Sequence, residues 1–190
     1  MSISLDPFGL RSLDIDGLRR NGGAKWRAHP AAYSAWVADM DFRVAPAITD
    51  RLRVLVEGNE FGYPNWGGPF VPSPAVAAFA ERQSARYAWE PRLDRLHEVS
   101  DVVQGIRVVL QHLTAPGDGV VLHLPAYYPF LNTIEEMGRR LIPVSAPDRS
   151  GFDYDSLEVR LAVERACVWI LCHPHNPLGH VFDRRDRRTS

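Results

Sequence analysis

Four short stretches of the chain carry side chains that could do chemistry. Ser100-Asp101-Val102-Val103-Gln104-Gly105 reads as a turn into a helix. Its free backbone N–H groups and the helix dipole suit an anion such as a phosphate, although a plain turn would look the same. His123-Leu124-Pro125-Ala126-Tyr127-Tyr128-Pro129-Phe130 sets an aromatic pair directly after a strand end, offering a face on which a planar heteroaromatic ring could stack; both tyrosines could equally pack inward. His173-Pro174-His175-Asn176-Pro177-Leu178-Gly179 ends the last strand. Its histidines lack a third ligand at metal-binding spacing, so the sharper feature is the Asn176 amide, a donor for a phenolate oxygen held by a Pro-Gly turn. Trp36-Val37-Ala38-Asp39-Met40-Asp41-Phe42 puts Asp39 and Asp41 on one face of an extended segment, where paired carboxylates could do acid–base work or cap the next element. Lys25 is the only lysine among 22 basic residues. Chemistry that needs a lysine must use it.

Positioning these groups falls to a regular alternation of elements. Ile48, Leu52, Leu55 and Val56 mark a helix from Pro46 to Glu57, and Ser73 caps a second that starts at Pro74 and runs to Tyr87. Thereafter strands are expected at Leu96–Ser100, Val120–Leu124, Leu141–Ser145 and Cys167–Cys172, with helices at Val103–Leu113, Tyr128–Met137 and Asp155–Val163 between them. The class is α/β, with a mostly parallel sheet and helices on both faces. Residues 1–45 show no clear period and read as an arm; residues 46–190 read as the first part of a larger domain.

Composition removes several alternatives. At 190 residues, 45% hydrophobic and 24% charged, the chain has enough apolar content for a core and is not disordered. A net charge of -1 supplies no basic field for nucleic acid or a membrane surface. No apolar run approaches a membrane span and the N-terminus has no signal-peptide pattern, so a cytoplasmic location is the default expectation. Cys167 and Cys172 fall on opposite strand faces and read as buried packing residues.

In combination and in this order, the motifs resemble fold type I pyridoxal-phosphate (PLP) enzymes, the class I/II aminotransferase superfamily. Within it they resemble the cystathionine β-lyase-like (MalY/PatB) branch of carbon–sulfur lyases. The residues that carry the resemblance are Lys25-Trp26, Val37 to Phe42, Phe61-Gly62-Tyr63, Pro125-Ala126-Tyr127 and Asn176-Pro177-Leu178-Gly179. The resemblance implies PLP as cofactor and an amino acid as substrate. By the same resemblance, the backbone at Val102, Val103 and Gln104 would hold the cofactor phosphate, Tyr127 would stack on its ring and Asn176 would bond its phenolic oxygen. Ala38 would approach the substrate carboxylate through its backbone. Tyr63 would reach the phosphate of a neighbouring subunit, which implies a homodimer.

The resemblance also implies a gap. The family's Schiff-base lysine lies well downstream of the Asn-Pro-x-Gly turn, and Lys25 belongs to an N-terminal Lys-Trp element that the family has in addition. No catalytic residue is therefore assigned within these 190 residues, and the sequence is expected to be the N-terminal half of a longer design, inactive by itself. The implied activity of an intact member is β-elimination from cystathionine or other cysteine conjugates. Transamination is the nearest alternative, and a non-catalytic remnant or regulatory module is an alternative of another kind.

Overall fold

The computed structural model describes residues 6, 8, 11, 13–21, 23–29, 34–63, 68, 71–146 and 166–182. They belong to two compact units, Met1–Val71 and Pro72–Ser190.

In the first unit, the stretch expected to be irregular contains two short helices, α1 (Ile15–Asn21) and α2 (Ala24–Arg27). Capping rather than apolar period starts the first: the Asp14 carboxylate accepts the Gly17 N–H at 2.8 Å, satisfying a first-turn donor. Helix α3 (Pro46–Glu57) matches the expected bounds, with proline at its first position, where a missing N–H costs nothing.

The second unit begins with α4 (Pro74–Tyr87). Ser73, 5% exposed, accepts the Val76 N–H through Oγ at 3.2 Å. Ser73→Ala is expected to destabilise this unit by about 1 kcal/mol, measurable by urea unfolding. The strand expected at Leu96–Ser100 does not form; the segment follows a 3₁₀ turn (Leu93–Arg95) as unpaired extended chain. Its apolar alternation is real, yet a strand exists only through a partner's hydrogen bonds, and none is present among the described residues.

Helix α5 (Val102–Leu113) leads through Pro116-Gly117-Asp118 into β1 (Gly119–Leu124). Gly117 has φ +86°, a region costly for any residue with a Cβ, and its N–H donates to the Gly138 carbonyl at 2.8 Å. Helix α6 (Tyr128–Glu136) follows, and strands β2 (Arg140–Ser145) and β3 (Ala166–Ile170) flank β1, so that the described residues form a three-stranded parallel sheet in the order β2-β1-β3. Central β1 is buried on both faces, as a parallel strand must be. Val120 and Leu122 face α5 and α6, where Leu110, Phe130, Ile134 and Ile170 close the main core. On the opposite face Val121 packs with Ile142 and Val144, and Trp169 lies against them. Both described helices that pack on the sheet cover the first face; the expected helix Asp155–Val163 lies outside the described residues. Cys167 is exposed on edge strand β3 rather than buried, and Cys172 is half-buried against the α5–α6 face.

Candidate functional site

The short connection 114–118 turns α5 back into β1, so the two run antiparallel and the α5 N-terminus lies at the carboxyl edge of the sheet. The chain leaves β1 toward Tyr127 and β3 toward Asn176 at that same edge. In open parallel sheets this edge is where ligands bind. Topology therefore gathers three of the four candidate stretches at one edge. The fourth, with Ala38, belongs to the first unit, as does Tyr63.

At the α5 N-terminus, Asp101 is the cap. Its Oδ1 accepts the Gln104 N–H at 2.8 Å, and its Oδ2 accepts the Ser100 hydroxyl at 3.1 Å. The Gln104 side-chain oxygen turns back to accept the Ser100 N–H at 2.6 Å and the Ser100 hydroxyl at 2.9 Å. The bond from the Gln104 amide holds the Asp101 carboxyl below its usual range. Gln104, expected among the anion donors, is thus already engaged through both backbone and side chain. Val102, at the first helical position, is exposed, and Val103 is half-buried. The position before a helix and the residue three later read from sequence as a capping pair, a signal that could have flagged Asp101.

Beyond β1, Tyr127 and Tyr128 are both exposed, and Phe130 is the aromatic residue that enters the core. Tyr127 stands edge-on to Phe130 with ring centroids 5.5 Å apart, which braces its ring while leaving it accessible. Asn176 is exposed at the tip of the turn 176–178.

Among the described residues, no group of three or more His, Cys, Asp or Glu is arranged to hold a metal ion. The two histidines beside Asn176 enter an imidazole cluster. His123 and His175 are 1% and 2% exposed, with ring centroids 6.1 Å apart. Burial, then the neighbouring His175, pushes the His123 pKa down to about 4, and burial, then His180, lowers that of His175. Both rings are neutral at neutral pH. Strand alternation places His123 on the Val121 face, but its meeting with a loop some fifty residues later has no local signal.

In the first unit, Asp39 and Asp41 occupy no strand, and only Asp41 enters the main interaction by its carboxylate. Lys25 Nζ donates to Asp41 Oδ2 at 2.8 Å and to the Asp39 carbonyl at 2.6 Å, while Trp26 Nε1 donates to Asp41 Oδ1 at 2.8 Å. The bond from Lys25 is the chief reason the Asp41 carboxyl lies below its usual range. Trp36 Nε1 closes the knot by donating to the Lys25 carbonyl at 3.0 Å. Exposed Ala38 lies between the tethered Trp36 and Asp39. The only lysine is 8% exposed and committed to holding this segment.

The carboxyl edge of a parallel α/β sheet thus carries a capped helix start, an exposed tyrosine and an exposed asparagine, in the place where α/β domains bind ligands. Comparison with known proteins specifies the family. Residues 40–189 match the family model for aminotransferase class I and II, and the chain belongs to that family. It is 35% identical over 96% of its length to a putative cystathionine β-lyase of Mycobacterium tuberculosis, and 32% identical over 91% to the cystathionine β-lyase of Corynebacterium glutamicum. It covers 46% and 45% of those proteins, so the chain spans about half the length of the curated relatives it matches. Among solved structures it resembles a putative PLP-dependent β-cystathionase of Corynebacterium diphtheriae, with TM-score 0.76 and 29% identity over 89% of this chain and 43% of that one. A PLP-bound putative aminotransferase of Clostridium difficile gives TM-score 0.74 and 27% identity over 89% and 44%. No helix among the described residues is long and apolar enough to cross a membrane.

Proposed function

We propose that this chain is the cofactor-facing half of a PLP-dependent carbon–sulfur β-lyase acting on cystathionine or related cysteine conjugates. The observation that carries the reading is the similarity to cystathionine β-lyases along nearly the whole chain, joined to a donor set at the sheet edge whose chemistry suits PLP. Of the backbone at Val102, Val103 and Gln104 that would hold the phosphate, Asp101 already draws on the amides of Gln104 and Val103, which leaves the exposed first-turn amide of Val102 as the readiest donor. The accessible Tyr127 face takes the pyridine ring, and the Asn176 amide donates to the phenolic oxygen. Bound there, PLP supplies an electron sink that makes the α-proton of an attached amino acid acidic. Ala38 offers its backbone to the substrate carboxylate, on a segment that Lys25 and Asp41 hold. Tyr63, fully exposed, is free to reach the phosphate of a second subunit in a homodimer.

A chimera tests the activity. Joined to the C-terminal part of the Corynebacterium glutamicum relative, which would contribute the Schiff-base lysine, the chain is expected to convert cystathionine and water to a thiol, pyruvate and ammonia. Keto-acid formation with the carbon–sulfur bond intact would replace this reading with transamination.

The 190-residue chain itself is expected to hold PLP without a covalent bond. After incubation with PLP and reduction by borohydride, mass analysis should find no pyridoxyl label on Lys25, because that amine is buried and charged against Asp41. Equilibrium dialysis should show Asn176→Ala weakening retention about fivefold, the worth of one hydrogen bond. A Lys25 label that disappears in Lys25→Ala would overturn this expectation.

A further inference from the structure

After β3 the chain makes a closed loop. The Gly179 N–H donates to the His175 carbonyl at 2.6 Å, and the His175 N–H donates to the His180 carbonyl at 2.8 Å. Gly179, at φ +68°, permits the bend. Asn176, Pro177 and Leu178 form the exposed tip of this loop. A single apolar side chain beside it, Phe182, is buried to 3% exposure.

The surroundings of Phe182 are unusual for an apolar anchor. Four imidazoles lie around its ring: His180 at 4.9 Å between centroids, His123 at 5.7 Å, His173 at 5.9 Å and His175 at 6.5 Å. The Phe182 N–H also donates to His173 Nδ1 at 3.3 Å. Trp169 of β3 stands edge-on to His123 at 5.4 Å. A cage of leucines would grip the ring at any pH, whereas buried imidazoles that gain a proton must carry an uncompensated charge out of water, which opposes the packed arrangement. Among the described residues, the titratable side chains in ring contact with Phe182 are His123 from β1 and the three loop histidines. From β2 the sheet face that carries His123 brings Ile142 and Val144, with Arg140 at the start of the strand, opposite Gly119.

We propose that Phe182 is the positioning residue of the Asn176 turn, and that the two buried imidazoles packed beside it, His123 and His175, make this positioning proton-dependent, seated while they are neutral and released as they take up protons. The inference rests on the reading of Asn176 as a cofactor contact and supplies the regulation of that contact. Its energetics are those of a desolvated pair: protonating His123 and His175 would set like charges about 6 Å apart against a buried phenyl ring, and expelling Phe182 returns both imidazoles to water. The depressed pKa values of these two rings agree with a box that is neutral when seated.

Hydrogen exchange on the whole 190-residue chain without cofactor tests the idea, comparing the His175 and Gly179 amides with those of Val121 and Leu122 in β1. After correction for intrinsic rates, the loop amides should lose roughly tenfold protection or more on acidification from about pH 7 to about pH 4.5, while the β1 amides keep theirs. His175→Gln and His123→Gln, which cannot take up the proton, should each move the loss to lower pH. Phe182→Ala should release the loop already at neutral pH with β1 intact. Loop protection that persists at low pH, loss of loop and β1 protection together, absence of loop protection at pH 7, or unchanged profiles in both glutamine variants would each overturn the proposal. PLP retention at pH 7 is measured separately. A protected loop that binds no PLP rejects the cofactor reading and leaves the latch standing.

Discussion

Acidification from pH 7 to pH 4 is expected to cost the second unit up to about 3 kcal/mol through His123 alone. In the folded chain this ring is 1% exposed and neutral, with its pKa pushed down to about 4 by burial and then by His175. In the unfolded chain the imidazole titrates near its ordinary value of about 6.5. Between those two values the unfolded state binds the extra proton, so stability is full above about pH 6.5, falls as the pH drops and levels off near pH 4. Urea unfolding of wild type and His123→Gln at several pH values checks this. The glutamine variant should show a shallower acid slope over that window, and parallel slopes would mean that His123 carries no such linkage. Release of Phe182, where it precedes unfolding, takes up part of the cost locally and makes the global loss smaller.

Asp41→Ala is expected to destabilise the first unit by roughly 2–3 kcal/mol, more than any single cap. The substitution strands the Lys25 ammonium, whose side chain is 10% exposed, with only the Asp39 carbonyl to bond, and it leaves the Trp26 indole N–H without its acceptor. Asp41 itself is 22% exposed, so water screens part of the pair, and the expected cost lies below that of a fully buried ion pair. Lys25→Met should cost less, because the remaining carboxylate keeps the Trp26 bond and has water on its open side. Urea unfolding followed by tryptophan emission measures both, since Trp26 and Trp36 report on the knot directly. Equal costs for the two variants would mean that the stranded ammonium is not what destabilises.

What could be read in the sequence was whatever depends on neighbours along the chain. The bounds of α3 and α4 follow from apolar spacing, proline at the first position and, for α4, the Ser73 cap. β1 follows from an apolar run behind a Pro-Gly-Asp-Gly turn, and the order of motifs pointed to the family that the comparisons establish. Reading failed where a long-range partner decides. Leu96–Ser100 has a strand's pattern but no neighbouring strand to bond among the described residues, and Cys167 has a core residue's chemistry but is exposed. The candidate site divides the same way. That Tyr127 and Asn176 fall in the loops beyond the carboxyl ends of β1 and β3 was legible from the apolar runs that precede them. The commitment of Gln104 was not, since it depends on whether Asp101 and Ser100 fold back onto it.

Alone, the sequence determined the order of its motifs: a turn into a helix, an aromatic pair and an Asn-Pro-x-Gly turn behind successive apolar runs, with a single lysine near the N-terminus. Only the tertiary structure decided how these groups are held. It tied Lys25 to Asp41 across sixteen residues, and it closed four imidazoles around Phe182 from two parts of the chain. Both arrangements depend on burial bringing distant polar groups together. In water each would be satisfied separately, and only the folded chain forces them to share partners.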